Sequence, residues 1–294
     1  MLPALHCPAV HTADAIAREV SQWRADGHTI GFVPTMGALH EGHIALVLKA
    51  MEVCDRVVTS IFVNPSQFAA HEDLGTYPRT LEADSALLAA AGCHLLYAPD
   101  VDEVYPDGFA TAVTVEGPAI GLESDARPHF FAGVATVVAR LFGQVRPDIA
   151  VFGEKDYQQL MVVRRMVNDL ALPVKILGME TRREADGLAL SSRNVYLSPT
   201  ERMRAGRLNV ILRDLAHALE DGEPAARALE HARILASSVF DAVDYIEVRD
   251  ADTLEETGAG LLERPARVLA AIRVGKTRLI DNVAASPARR ETPV

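Results

Sequence analysis

The sequence predicts an α/β protein, a parallel sheet covered on both faces by helices and followed by a smaller α+β unit. Short apolar runs alternate with amphipathic helical patterns as far as about Thr181, which is the signature of strand–helix–strand units. Beyond that point the pattern changes to two charged helices and then short strands. A length of 294 residues suffices for one large domain or two ordinary ones, each with its own core. The expected domains are residues 1–181 and 182–294.

Taken in order, residues 14–26 read as a helix and 29–33 as a buried strand. The run breaks at Pro34, passes two glycines and enters a helix over 42–53, with Ile44, Val47, Leu48 and Met51 on one face. Strands are predicted over 57–63, 94–98, 149–152 and 174–177, and helices over 80–91, 131–145 and 155–170. Ligands of such sheets sit beyond the carboxyl ends of the strands. His43 and the stretch Gly153-Glu154-Lys155-Asp156 both follow strand ends, so they are expected to share a cleft. In the second unit, 199–218 and 224–238 read as helices, and 244–248, 268–274 and 279–283 as strands. The last two strands form a hairpin across Gly275-Lys276. Residues 285–294, with two prolines and two arginines, are expected to be a disordered tail.

Charge and composition narrow the function. Lys plus Arg is 29 and Asp plus Glu is 40, a net charge of −11, which repels polyanions and disfavours a nucleic-acid partner. A small anionic substrate remains open, because a local group of cations outweighs a distant negative field. No apolar run reaches the roughly 18 residues of a membrane helix, so no membrane partner is expected. The first ten residues lack a cationic segment and a long apolar one, so no signal peptide is expected. Cys7, Cys54 and Cys93 are odd in number and far apart, which fits a reducing, cytoplasmic setting rather than a disulfide framework.

The densest chemistry lies in Pro34-Thr35-Met36-Gly37-Ala38-Leu39-His40-Glu41-Gly42-His43. A strand–glycine turn–helix start is expected to gather free backbone N–H groups and the positive end of a helix dipole, which suits an anion. Two imidazoles there can donate to phosphate oxygens or move protons. Zinc is the other reading of a His pair, but it needs a third ligand, and no Cys-x-x-Cys pair exists. Alone the pair is a common coincidence, so its meaning depends on the other segments.

Asn64 and Gln67 are directional amides in an apolar run, although a satisfied turn asparagine is the plainer reading. In Phe152-Gly153-Glu154-Lys155-Asp156-Tyr157-Gln158-Gln159, Lys155 can place a point charge on phosphate, and Gln159 is expected one helical turn further on the same side. Glu154 and Asp156 also fit as plain first-turn carboxylates. Ser191-Ser192-Arg193-Asn194 supplies two hydroxyls and a guanidinium, a mobile clamp for a triphosphate. Arg127-Pro128-His129-Phe130-Phe131-Ala132-Gly133-Val134 could supply a loop over the cleft. Gly275-Lys276-Thr277 is not a phosphate loop, since Ala270 stands where that motif needs glycine and a strand follows instead of a helix.

Together these segments, with Tyr77-Pro78-Arg79 and Asp186-Gly187-Leu188-Ala189-Leu190-Ser191-Ser192-Arg193-Asn194, occur in the order found in the pantoate–β-alanine ligases, which the chain resembles over residues 28–283. The late Asp281-Asn282 fits as well. The resemblance implies a doubly wound, Rossmann-like nucleotide-binding domain and a smaller domain that closes over the site. It implies ATP and Mg2+, pantoate and β-alanine as substrates, a pantoyl adenylate intermediate, and a homodimer.

Position by position, the resemblance implies ATP binding by Met36, Gly37, Ala38, Leu39, His40, Glu41, Gly42 and His43. It implies the same for Gly153, Glu154, Lys155, Asp156, Arg182, Leu190, Ser191, Ser192 and Arg193. His43 takes the position of the proton donor with His40 beside it, and Lys155 and Arg193 act on the phosphates. Gln67 and Gln159 match the glutamines that hold pantoate, with Gln67 also near β-alanine and Asn64 supporting the pocket. Arg182 would act through its backbone. Magnesium would be held mainly by ATP phosphates and water, with Asp84 the candidate protein ligand.

One position departs from the pattern. The family reads Arg-Pro-x-His-Phe-x-Gly-Val, whereas Phe130 stands at the histidine and His129 comes one place early. Adjacent side chains of an extended loop point to different sides, so the contact is expected to be lost. Competing readings are nucleotidyltransferases with phosphorylated acceptors, which would lack paired glutamines and the second domain, and a non-catalytic ligand-binding relative. A tRNA synthetase-like protein is disfavoured by the net charge.

Overall fold

The computed structural model describes residues 5–68, 75 and 77–288. The chain divides into two units, Met1–Glu154 with Gln158–Glu180, and Lys155–Tyr157 with Thr181–Val294.

The first unit begins with β1 (Ala9–Val10), α1 (Ala13–Ala25), β2 (Ile30–Thr35), α2 (Glu41–Val53) and β3 (Arg56–Ile61). It continues with α3 (Leu81–Ala90), β4 (Leu95–Tyr97), α4 (Val101–Val104), α5 (Glu123–Ala126) and α6 (Phe130–Val145). Then come β5 (Ile149–Gly153), α7 (Tyr157–Asp169), whose first residue belongs to the other unit, and β6 (Lys175–Met179). All strand pairs of this sheet are parallel, in the order β1-β4-β3-β2-β5-β6. From β2 the chain steps outward to β3 and β4, then returns to β5 on the other side. Right-handed crossovers in opposite directions put helices on opposite faces. Side-chain packing agrees: Val33, Val57 and Val151 share a core with Val47 and Ala50 of α2. Phe32 and Phe152, one residue away and on the other face, meet Phe142 of α6 at ring distances of 6.2 and 6.5 Å. The doubly wound sheet is therefore as expected, and its strand order reverses between β2 and β5.

The two-residue β1 and the short α4 and α5 carry too little periodicity to stand out from the sequence. The helix expected from Lys155 instead starts with a 3-10 turn, Glu154–Asp156, and turns α-helical only at Tyr157.

The second unit holds α8 (Pro199–Glu220), α9 (Ala225–Val239) and an antiparallel sheet of β7 (Ala242–Asp250), β8 (Ala266–Val274) and β9 (Thr277–Ala285). Ser198 and Glu201 cap α8 reciprocally, each bonding the other's backbone, which explains its sharp start at Pro199. Leu208, Leu212 and Leu219 of α8, with Ala228 and Ala232 of α9, pack on Val268, Ala270 and Ile272. Gly275 (φ +58°) and Lys276 make the turn between β8 and β9, so no phosphate loop forms there. The expected tail does not begin at 285, because β9 runs to Ala285 and the Ser286 N–H bonds Glu220. Residues 289–294 lie outside the described residues. Among the described residues no helix is long and apolar enough to cross a membrane.

Candidate active site

The turn between β2 and α2 stands at the point where the sheet order reverses. Gly37 (φ +85°) and Ala38 (φ +50°) are both left-handed, which turns successive N–H groups toward one point. That point is occupied by the protein itself. The Ala38 N–H donates to Asp84 Oδ2 at 3.0 Å and the Leu39 N–H to Asp84 Oδ1 at 2.8 Å. Thr80 Oγ1 adds bonds of 3.2 Å to each oxygen, and Asp84 is 2% exposed.

The amides of Gly37, His40, Gly42 and His43 are spent locally. Gly37 N–H donates to Thr35 Oγ1, Gly42 N–H to His40 Nδ1 at 3.1 Å, and His40 N–H to His43 Nδ1 at 3.3 Å. The His43 N–H reaches the His40 carbonyl at 2.8 Å. Free amides for an anion were the expectation here, and for Gly37 to His40, Gly42 and His43 the structure shows internal partners instead. Fixed internal acceptors satisfy them because a buried N–H left unpaired is costly. The imidazoles gain from the same arrangement. Each accepts a backbone N–H at Nδ1, so in the neutral ring the proton sits on Nε2. The two rings lie 4.1 Å apart, tilted by 37°.

These bonds also answer the assignment of Asp84 to a metal. Both its oxygens are engaged, Glu82 two residues away is exposed, and among the described residues no three His, Cys, Asp or Glu side chains gather to hold an ion. The donors present do not build a protein site for magnesium.

Asn64 proves a bracket rather than a free amide. It caps the 3-10 turn Pro65–Gln67, accepting from Ser66 N–H, Ser66 Oγ and Tyr105 Oη and donating to the Gly133 carbonyl. Burial pushes the Tyr105 phenol above its ordinary pKa, which keeps it a donor. Gly133, in the first turn of α6, passes so close that a Cβ there would meet the Ser66 carbonyl at 2.5 Å. The motif glycine is thus required by contact with the turn that carries Gln67. Arg127 donates to the Gln67 carbonyl at 3.0 Å. Among the described residues no partner binds the Gln67 side-chain amide, which is free to meet a ligand.

The adjacent glutamines divide in the same way. Gln158 is 4% exposed and fully used, donating to the Pro118 and Gly121 carbonyls and accepting from Glu123 N–H. Gln159 is half-buried, with no side-chain hydrogen bond among the described residues. Lys155 lies in the 3-10 turn and Gln159 in α7, so the two do not share one α-helix as expected.

His129 and Phe130 stand at a helix start, not in an extended loop. His129 is the exposed N-cap residue and makes no capping bond. Phe130 is the first helical residue, and the Arg127 guanidinium lies over its ring at 3.9 Å.

In the second unit, Lys155, Ser191, Arg193, Asn194, Arg278 and Asp281 line one cavity. Lys155 had been expected opposite Arg193, across a domain division; instead it groups with the same unit. Asn282 donates to the Lys155 carbonyl at 2.9 Å, and Tyr157 Oη to that of Ala251 at 2.8 Å. Lys155 Nζ lies 3.4 Å from Asp156. The Arg182 carbonyl accepts from Leu190 N–H, closing a turn at Gly187. Arg183 forks onto Asp281 at 2.7 and 2.9 Å, and Arg202 grips Glu184 and Asp186. These bonds hold the Asp186 carboxyl below its ordinary pKa, the Arg202 hydrogen bond being the main cause. The base of the segment that leads to Ser191 is therefore tied down. Ser191 caps the 3-10 turn Ser192–Tyr196, on which Arg193 is exposed.

A doubly wound sheet bearing a polar glycine turn where its order reverses defines a nucleotide-binding α/β protein of the Rossmann-like class. The family model for pantoate-beta-alanine ligase matches residues 8–284, and the chain belongs to that family. It is 57% identical over 280 residues to the pantothenate synthetase of Maricaulis maris, covering 95% of this chain and 97% of that one. The crystal structure of pantothenate synthetase from Thermus thermophilus superposes with a TM-score of 0.89 at 47% identity, over 95% of this chain and all of that one. A Francisella tularensis pantoate-beta-alanine ligase, complexed with beta-gamma ATP and beta-alanine, has a TM-score of 0.74 at 34% identity, over 94% and 97%.

Proposed function

We infer that the chain condenses pantoate with β-alanine at the expense of ATP by way of a pantoyl adenylate. In the first step a pantoate carboxylate oxygen attacks the α-phosphorus, and the bond to the β-phosphate oxygen breaks to release pyrophosphate. In the second, the β-alanine nitrogen attacks the acyl carbon, the bond to AMP breaks, and the amine proton is lost to solvent. The observation that carries this reading is the pair of imidazoles whose Nδ1 atoms accept backbone N–H groups, leaving Nε2–H as the donor of each.

Donors fixed before the reaction and aimed at developing charge lower the barrier without reorganisation. His43, with His40 beside it, fills that role on the α-phosphate, in the turn Met36, Gly37, Ala38, Leu39, Glu41 and Gly42. Lys155 and Arg193 hold the outer phosphates, with Ser191 and Ser192, while Gly153, Glu154 and Asp156 shape the segment around Lys155. Arg182 and Leu190 present backbone toward adenine. Gln67 and Gln159 hold pantoate through neutral amides, which orient a carboxylate without pairing it so tightly that it stops attacking. Bound magnesium would offset the charge of the ATP phosphates, and no protein carboxylate is assigned to it. The assembly is a homodimer acting on small molecules in the cytoplasm.

AMP release measured with each substrate omitted tests the reading: it should require pantoate and β-alanine together. Pyrophosphate exchange into ATP should need pantoate alone. Exchange without pantoate would point to a different nucleotidyl acceptor. Sedimentation of the purified chain at twice the monomer mass is the expected check on the dimer.

A further inference from the structure

The turn that would meet ATP contains a ready anion site, and a carboxylate of the protein already fills it. Two consecutive left-handed residues aim the amides of Ala38 and Leu39 at one point, the arrangement that commonly receives a phosphate oxygen. Here it receives both oxygens of Asp84, a side chain 2% exposed on the first turn of α3. The fit is close on every side. A Cβ on Gly37 would stand 3.1 Å from Asp84 Oδ2, and Thr80 Oγ1 closes the remaining approach. A carboxylate held by two amides and a hydroxyl forms charge-assisted bonds, the strong kind, and is suited to fixing a loop.

We propose that Asp84 is a positioning residue: it occupies the amide site of the 36–43 turn, fixes the turn's left-handed backbone, and so leaves the imidazoles of His40 and His43 as the phosphate donors. This rests on the assignment of that turn to ATP. Asp84 touches neither substrate nor metal; it acts through the Gly37–Leu39 backbone. A consequence follows for anions. Removing the carboxylate empties a site of phosphate-oxygen geometry, so small anions should enter it and the turn should lose its register with the α-phosphate. A displacement of about 1 Å is enough to cost on the order of 10²-fold in rate.

The test uses the full chain and compares wild type with Asp84→Ala and Asp84→Asn. In Asp84→Ala, pantoate-dependent pyrophosphate exchange should fall on the order of 10²-fold. Attack of β-alanine on supplied pantoyl adenylate should change far less. Formate, which matches the missing carboxylate, should restore part of the lost exchange, and inorganic phosphate should inhibit the variant more strongly than wild type. Asp84→Asn keeps one acceptor and faces an N–H with an NH2 group, so it should fall between the two without rescue by formate. Several outcomes overturn the proposal. One is unchanged exchange in Asp84→Ala; another is a loss with neither formate rescue nor stronger phosphate inhibition. A selective rise in the magnesium concentration needed by Asp84→Asn would make the residue a metal ligand instead. Failure of both variants to fold would make it a determinant of the fold rather than of the turn. Wild type lacking pantoate-dependent exchange would strike the ATP reading itself, which separates the two failures.

Discussion

Two regions of this molecule look alike in sequence and differ in how their polar groups are spent. The 36–43 turn and the 191–196 segment each combine small residues with cationic or imidazole side chains, and each invites a phosphate. In the first, amide after amide is satisfied within the turn or by Asp84. In the second, the base is tied by Arg183 to Asp281 and by Arg202 to Asp186, while Arg193 is exposed, with no side-chain partner among the described residues. The difference teaches a division of work. A group that must meet a reacting phosphorus gains from being fixed before substrate arrives. A group that neutralises a leaving pyrophosphate gains from being able to let go.

The largest test of that division is His43→Ala. Losing one fixed donor should slow adenylate formation by roughly 10²–10³-fold, with a much smaller change in ATP affinity. Single-turnover rates on bound substrate, set beside an ATP dissociation constant, measure both. If binding collapses while bound-state chemistry is normal, the fixed turn is a binding device and the comparison breaks.

Lys155→Ala and Arg193→Ala come next, each expected to cost about 10–10²-fold in the first step, the range for a hydrogen bond to a charged group. Attack of β-alanine on preformed adenylate should suffer much less. Because both side chains line one cavity of the second unit, the double variant should lose less than the product of the singles. Strict multiplication would show that the two cations act independently.

Gly133→Ala probes the turn that carries Gln67. The added methyl would press on the Ser66 carbonyl, which is backbone and cannot swing aside. A raised KM for pantoate is expected, with a stability loss of about 1–3 kcal/mol in thermal melts. Gln159→Ala should also raise the pantoate KM but leave the melting temperature alone. Gln158→Ala should do the reverse, losing about 1–3 kcal/mol through the carbonyls and N–H it leaves unpaired. Equal effects at 158 and 159 would remove the distinction between them.

Much of this was legible in the chain. Strand–helix alternation gives the sheet, since period and length are local properties, and the glycine turns mark the strand ends. No one of His40, His43, Gln67, Lys155 and Arg193 stands out alone; their segments become legible together, because they occur in the order that the resemblance to the ligases carries. What could not be read is who satisfies whom. Asp84 lies far along the chain from Ala38, and only the folded sheet brings it under the turn. Nothing local tells Gln158 from Gln159, because their difference is made by the carbonyls of Pro118 and Gly121. The 3-10 start at Glu154 was equally hidden, since the apolar period that follows it is helical.

The smallest expected effect is at the one departure from the family pattern. An extended loop would have set His129 and Phe130 on different sides. The structure instead begins a helix here, where neighbours are about 100° apart around the axis. The conclusion survives for a different reason. His129 is exposed and caps nothing, while Phe130 is held under the Arg127 guanidinium at 3.9 Å. That same guanidinium bonds the Gln67 carbonyl, so Phe130 steadies the turn that carries Gln67 through Arg127 instead of donating a hydrogen bond. His129→Ala should accordingly leave kcat and the KM values for ATP, pantoate and β-alanine nearly unchanged. Phe130→Ala should cost about 0.5–1 kcal/mol of stability, the value of an exposed cation–π contact, and raise the pantoate KM slightly. Phe130→His restores the family residue, and any gain in kcat/KM from it would show that the missing imidazole once contributed to the chemistry. A large loss in His129→Ala would mean that this side chain reaches substrate after all, and that the helix start rearranges when ATP binds.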